Sequence, residues 1–144
     1  MKKVFLGGTC NNSNWRDKII IYLKKNNLDY FNPVVNNWTS ECMKEEIKQR
    51  KECDFCLYTI TPKMTGVYSI AEVVDDSNKN PLKTILVLLQ TDGIDKFNKG
   101  QWKSLLSVQR MVENNGCFVF YNLLNAANYI KQLSIHMEDI NGFK

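Results

Sequence analysis

Glu72 is the residue of this chain best suited to do chemistry. It stands in Ser69-Ile70-Ala71-Glu72-Val73-Val74, with small or apolar neighbours on both sides. A glutamate in such company is not one more charge on a solvated face. In a helix its carboxylate would be partly desolvated and near a helix N-terminus, which tunes its ionisation. Tyr68, four residues earlier, falls on the same helical face and within hydrogen-bonding reach. Such a carboxylate can attack a sugar carbon as a nucleophile, or stabilise positive charge there. The competing reading is a surface glutamate beside a pocket. Two-carboxylate chemistry also needs an acid, and the stretch before Phe55 offers Glu45, Glu46, Glu52 and Asp54, most of which a charged helix leaves in water.

Two segments are built to receive a ligand. One is Gly7-Gly8-Thr9-Cys10-Asn11-Asn12-Ser13-Asn14-Trp15-Arg16, and the other runs from Thr61-Pro62 through Thr65-Gly66 to Ser69 and Glu72. Both are small, polar and glycine-bearing. Glycine permits positive φ and close approach of backbone to ligand, and free N–H groups at helix starts bind oxygen-rich groups. Taken alone, Gly7-Gly8 is equally a tight turn, and it lacks the spacing of a dinucleotide fingerprint or a P-loop. Trp38, beside Asn36-Asn37, can stack on a planar base or anchor a loop by packing. Cys53 and Cys56 form a C-x-x-C, but no second pair accompanies them and His136, read as a surface residue, is the only histidine. A metal site or redox centre is therefore not expected, and no cofactor is implied.

The elements that must position these residues alternate in type. Short apolar runs at Val4–Leu6, Asp29–Asn32, Asp54–Ile60, Thr84–Leu89 and Cys117–Tyr121 read as strands. Between them the spacing predicts helices from Ser13 or Asn14 to Asn26, from Thr39 or Ser40 to Lys51, from Val67 to Asn78 and from Gln101 to Asn115. A last helix covers Asn125 to Met137, and Thr91–Gly100 reads as a polar loop. Strands separated by helices of this length imply right-handed parallel crossovers. The expectation is a flavodoxin-like, doubly wound α/β domain of five parallel strands in order 2-1-3-4-5. Its ligand crevice lies at the carboxyl ends of strands 1 and 3, where both glycine-bearing segments begin.

With 144 residues the chain fits one domain, read here as residues 1–144. A 44% apolar and 24% charged composition is that of an ordinary globular protein. The net charge of +4 is spread along the chain, without the basic stripe of a nucleic-acid binder. No apolar run is long enough to span a bilayer or serve as a signal-peptide core, and five cysteines, an odd number, suit a reducing compartment. The expected setting is cytoplasmic, with no membrane partner.

The set Val4-Phe5-Leu6-Gly7-Gly8-Thr9 with Trp15-Arg16, Phe31-Asn32-Pro33, Cys53-Asp54 and Ile60-Thr61-Pro62-Lys63-Met64-Thr65-Gly66-Val67-Tyr68-Ser69-Ile70-Ala71-Glu72 resembles the nucleoside 2-deoxyribosyltransferase superfamily. Within it the chain is similar to the nucleoside 2-deoxyribosyltransferase-like group, and more distantly to the deoxynucleotide N-hydrolases. The likeness runs over about Lys3 to Val119. It implies cleavage or exchange of the N-glycosidic bond of a 2-deoxynucleoside or its 5′-phosphate. The family's nucleophile matches Glu72, and its base-protonating acid, usually aspartate, matches Glu46. The residues after strand 1 that line the sugar and base pocket match Gly7, Gly8, Thr9 and Arg16, and Asn32, in the matching Phe31-Asn32-Pro33 piece, is a further candidate binding residue. Thr65 and Gly66 match the small polar residues six or seven positions before the nucleophile, where a serine of hydrolase relatives binds the 5′-phosphate, and Ser69 on the same segment is a further candidate binding residue.

The match has departures. No glycine follows Glu72, no aspartate stands six residues before it, and Phe5 takes the place of a tyrosine found in several relatives. The family's homo-oligomers complete the pocket from a neighbouring subunit, for which Gln101 and Ser104 are the candidates. Two other readings are a non-catalytic binding module for a nucleotide or nucleotide-derived signal, which the altered signature favours, and an FMN carrier. The latter is disfavoured by the lack of a Ser/Thr-rich phosphate cradle after strand 1.

Overall fold

The apolar runs pair into one parallel sheet. In the computed structural model, which describes residues 1–10 and 12–142, the chain passes through β1 (Lys3–Gly8), α1 (Trp15–Lys25), β2 (Asp29–Phe31) and α2 (Ser40–Glu52). It continues through β3 (Phe55–Ile60), α3 (Tyr68–Lys79), a 3-10 turn at Pro81–Lys83, β4 (Thr84–Leu88) and the two-residue strands β5 (Thr91–Asp92) and β6 (Asp95–Lys96). Then come α4 (Lys99–Asn114), β7 (Phe118–Phe120) and α5 (Leu123–Gly142). The main sheet runs β2-β1-β3-β4-β7, every neighbour parallel. Counting only its five strands, this is the expected order 2-1-3-4-5 of a flavodoxin-like fold.

Alternate side chains of each strand go to opposite faces, and each face has its own core. Val4, Leu6, Phe55, Leu57, Ile85 and Val87 pack with Trp15, Ile19 and Leu23 of α1 and Ala126, Ala127 and Ile130 of α5. Phe5, Tyr58, Ile60, Leu86 and Leu88 pack on the other face with Val73 of α3 and Leu105 and Val112 of α4. The second helix is the exception, because none of its residues is buried. It is tied to α3 instead through Arg50.

The region expected to be a polar loop contains two surprises. Thr91–Asp92 and Asp95–Lys96 form a small antiparallel hairpin, which turns at Gly93. The fourth helix begins at Lys99 rather than Gln101, because Asn98 and Gln101 form a capping box. The Asn98 side chain accepts from Gln101 N at 2.8 Å, and the Gln101 side chain accepts from Asn98 N at 3.0 Å. At the first helix Asn14 holds the N-cap position without a side-chain capping bond. Ser13 is spent elsewhere, donating to Asp92 Oδ2 at 2.5 Å.

Gly8 ends β1 at φ +123°, and a Cβ there would lie 2.1 Å from the Thr59 carbonyl oxygen. One at Gly7 would lie 2.6 Å from the Tyr58 ring. Both glycines let β1 and β3 approach at their carboxyl ends, where the chain leaves in opposite directions and opens the crevice of a doubly wound sheet. Among the described residues no helix is long and apolar enough to cross a membrane.

Candidate active site

The loops after β1 and β3 and the first turns of α3 enclose a cavity of about 220 Å³ at this crevice. Gly7, Gly8, Thr9, Arg16, Thr65, Gly66, Tyr68, Ser69, Glu46 and Glu72 all line it, together with Cys10, Pro33 and Met64. Asn11 of the same loop lies outside the described residues. Beside it is a larger compartment of about 660 Å³, walled by Val34, Val35, Trp38, Met43 and Ile47, with Arg50 at one side. Cys10, Pro33, Glu46, Tyr68 and Glu72 line both. Glu46 and Glu72 therefore stand where a small compartment, which holds most of the polar side chains of the site, meets a larger one walled mainly by apolar side chains.

Glu72 is buried, 8% exposed. Burial pushes its carboxyl group up to about 7, opposed by the Arg50 cation and reinforced by the charges of Glu46 and Asp76. Its Oε2 lies 3.7 Å from Arg50 Nε. Tyr68, expected to hydrogen-bond Glu72, does not: its side chain is 71% exposed, and Arg50 is the group that faces the carboxylate. Glu46 is half-buried, and its carboxyl is also pushed up by burial, with Arg16 and Arg50 pulling the other way. Of the four candidate acids before β3, Glu46 is the one that lines these two compartments. Glu45 and Glu52 are exposed. Asp54 sits at the amino end of the sheet, accepting from Lys3 N at 2.8 Å and facing Lys2.

Thr9 and Arg16 hold the walls. Thr9 Oγ1 accepts from Thr61 N at 2.9 Å and Thr9 N donates to Thr59 O at 2.9 Å, clamping the two loops together. Arg16 lines the cavity, but its guanidinium donates to Leu6 O at 3.1 and 3.0 Å and to Thr9 O at 2.6 Å. That guanidinium caps the carbonyl end of β1, and burial lowers its pKa. Asn32 lies outside both linings. Its side-chain oxygen accepts from Val34 N at 3.0 Å, a local turn that brings Pro33 and Val34 to the cavity instead. Gln101 is committed to the capping box and Ser104 is exposed; neither lines these compartments.

Arg50, Tyr58 and Asp76 were not among the sequence candidates. Arg50 donates to Asp76 Oδ1 at 2.8 Å and Oδ2 at 3.1 Å, to Tyr58 Oη at 3.0 Å and to Glu72 O at 3.3 Å. Tyr58 Oη in turn donates to Asp76 Oδ2. The signal was present as helical spacing: Arg50 follows Glu46 by four residues, and Asp76 follows Glu72 by four. Met43, Glu46, Ile47 and Arg50 likewise make one stripe of α2.

Cys53 and Cys56 are buried free thiols, pushed up by burial to about 11 and about 12, so both stay protonated and unreactive near neutrality. His136 is exposed on α5. Among the described residues no cluster of three His, Cys, Asp or Glu side chains can hold a metal ion. No curated protein and no solved structure matches the chain. The family model described as "Nucleoside 2-deoxyribosyltransferase like" matches residues 1–90, ending soon after β4 and short of the Val119 to which the sequence likeness reached. Those 90 residues include every side chain of the two-compartment site, and by this match the chain belongs to the nucleoside 2-deoxyribosyltransferase-like family.

Proposed function

We propose that the protein cleaves or exchanges the N-glycosidic bond of a 2-deoxynucleoside or its 5′-phosphate by double displacement through Glu72. The observation that carries this reading is the pair of carboxyl groups at the junction of the two compartments. A nucleoside has a matching division: a hydroxyl-bearing sugar, a flat base with apolar faces, and one bond between them. With the sugar against the loops after β1 and β3 and the base against Trp38 and Ile47, that bond lies beside Glu46 and Glu72. A Glu72 oxygen attacks C1′, the C1′–N bond breaks with its electron pair leaving on the base, and Glu46 gives the base a proton. The glycosyl ester on Glu72 is then resolved by a second base or by water, whose N–H or O–H proton returns to Glu46. The reading treats residues 1–144 as one catalytic domain, supported by the hydrogen bonding of β7 into the same sheet. It also takes the enzyme to be a cytoplasmic homo-oligomer acting without a cofactor.

The test is incubation with each 2-deoxynucleoside and 2-deoxynucleotide, with NAD as a control, and chromatography for free or exchanged base. Base release by the wild type that falls by about 10³-fold or more in Glu72→Gln is the expected result. Tight binding without base release from any of these compounds would replace the enzyme with a binding module.

A further inference from the structure

The cluster behind Glu72 is more elaborate than a surface ion pair. Arg50 reaches across from α2 and is anchored by both oxygens of Asp76 and by Tyr58, itself completely buried. Asp75 adds a contact at 3.2 Å. From this anchor the guanidinium meets Glu72 twice, at the backbone oxygen (3.3 Å) and at Oε2 (3.7 Å). Gly7 belongs to the arrangement too, because a side chain there would run into the Tyr58 ring.

We propose that Arg50 is a positioning residue for the Glu72 nucleophile. It holds one carboxylate oxygen and raises the share of molecules in which Glu72 carries the charge and Glu46 the proton. The inference rests on the reading of Glu72 and Glu46 given above. Two carboxyl groups in one cavity titrate as a pair, and only one placement of their shared proton is productive, with the nucleophile ionised and the acid protonated. The groups facing Glu72 set that placement. From α2 they are Arg50 and Glu46; from its own helix, Asp75, Asp76 and Tyr68; from β3, Tyr58. Across the cavity stand Cys10 and Arg16; Arg16 and, less strongly, Arg50 favour the charged form of Glu46 as well, but the ion-pair contact of Arg50 is with Glu72. Burial, Glu46 and Asp76 all favour a proton on Glu72, and among the groups acting on it Arg50 is the one that opposes them. At 3.7 Å from Oε2 the guanidinium opposes them as an ion pair, beyond hydrogen-bond distance.

The experiment is carboxyl-carbon NMR titration of the full-length protein labelled at glutamate Cδ. Glu72 is assigned by its loss in Glu72→Gln, and wild type is compared with Arg50→Gln and Arg50→Lys. No substrate is needed. Arg50→Gln should raise the Glu72 midpoint by about one to three pH units. Arg50→Lys, which keeps the charge but cannot fork between Asp76, Tyr58 and Glu72, should raise it less. Arg50→Met replaces the glutamine variant if that chain does not fold. A purely structural Arg50 would lower the melting temperature and leave the midpoint where it was. Coincident midpoints in wild type and the folded variants would overturn the proposal. In base-release assays the alkaline limb of the pH profile should move up with the midpoint while its maximum falls, with partial rescue in Arg50→Lys. A wild type that releases no base defeats the proposed function and leaves the titration to decide the role of Arg50.

Discussion

Glu72 is costly to its own fold. The folded protein keeps its proton up to about 7, against an ordinary value of 4.5. A carboxyl held protonated by burial stabilises the native state fully below the unfolded value; that stabilisation is lost as pH rises toward the folded value and is absent above it. The window is therefore about 4.5 to about 7, and the loss across it is on the order of 3 kcal/mol. Glu72→Gln removes the ionisation, so this variant should match the wild type in urea unfolding near pH 4.5 and exceed it by about 2–3 kcal/mol at pH 8. Equal stabilities at both pH values would mean that the carboxylate is solvated. The sequence already marked Glu72, because a glutamate among Ile70, Ala71, Val73 and Val74 has few ways to stay in water. What surrounds it was not legible. Arg50 lies 22 residues away in the chain, and nothing local links the two.

At the scale of elements, the site depends on how β1 and β3 end. Gly8 lies at φ +123° with the Thr59 backbone where a Cβ would go, so Gly8→Ala must both strain the backbone and push the strands apart. It should cost about 3 kcal/mol or more, seen as a lower urea midpoint, with loss of base release from whatever folded protein remains. A variant of unchanged stability would show that β1 can end another way. The five strands of the main sheet were readable as short apolar runs and the helices from 3–4 spacing, of charges in α2, whereas the Thr91–Lys96 hairpin read as a polar loop. The fourth helix started two residues early because its start signal, the Asn98–Gln101 capping box, is a reciprocal side-chain arrangement. The second helix differs again. With no buried residue, its placement rests on Arg50 and its Thr39 cap, and the apolar stripe of Met43 and Ile47 faces the larger compartment.

At the scale of the whole molecule, the mouth of the site is conspicuously apolar. Val34, Val35, Trp38, Met43, Ile47, Val67 and Tyr68 are each at least 46% exposed and lie on the segments that frame the two compartments. A patch of this kind on one face favours association, in line with the homo-oligomer proposed above. Sedimentation equilibrium should give a mass of at least twice the 16.7 kDa chain, and Ile47→Glu should shift it toward that of the single chain. A wild type that stays monomeric at high concentration would rule this out. The parallel, doubly wound class follows from sequence alone, because apolar runs of strand length between helices have few right-handed parallel arrangements to choose from, and the order 2-1-3-4-5 is the commonest of them. The sequence also marked Glu72 through its hydrophobic neighbours, a local property, but its burial was fixed only by the fold. The resemblance had already pointed to Glu46 among the four acids, but only the tertiary structure brought it to the cavity beside Glu72, put Arg50 rather than Tyr68 against Glu72, and turned Asn32 away from the cavity. Those choices depend on contacts between residues distant in the chain, and a pattern of neighbours carries no record of them.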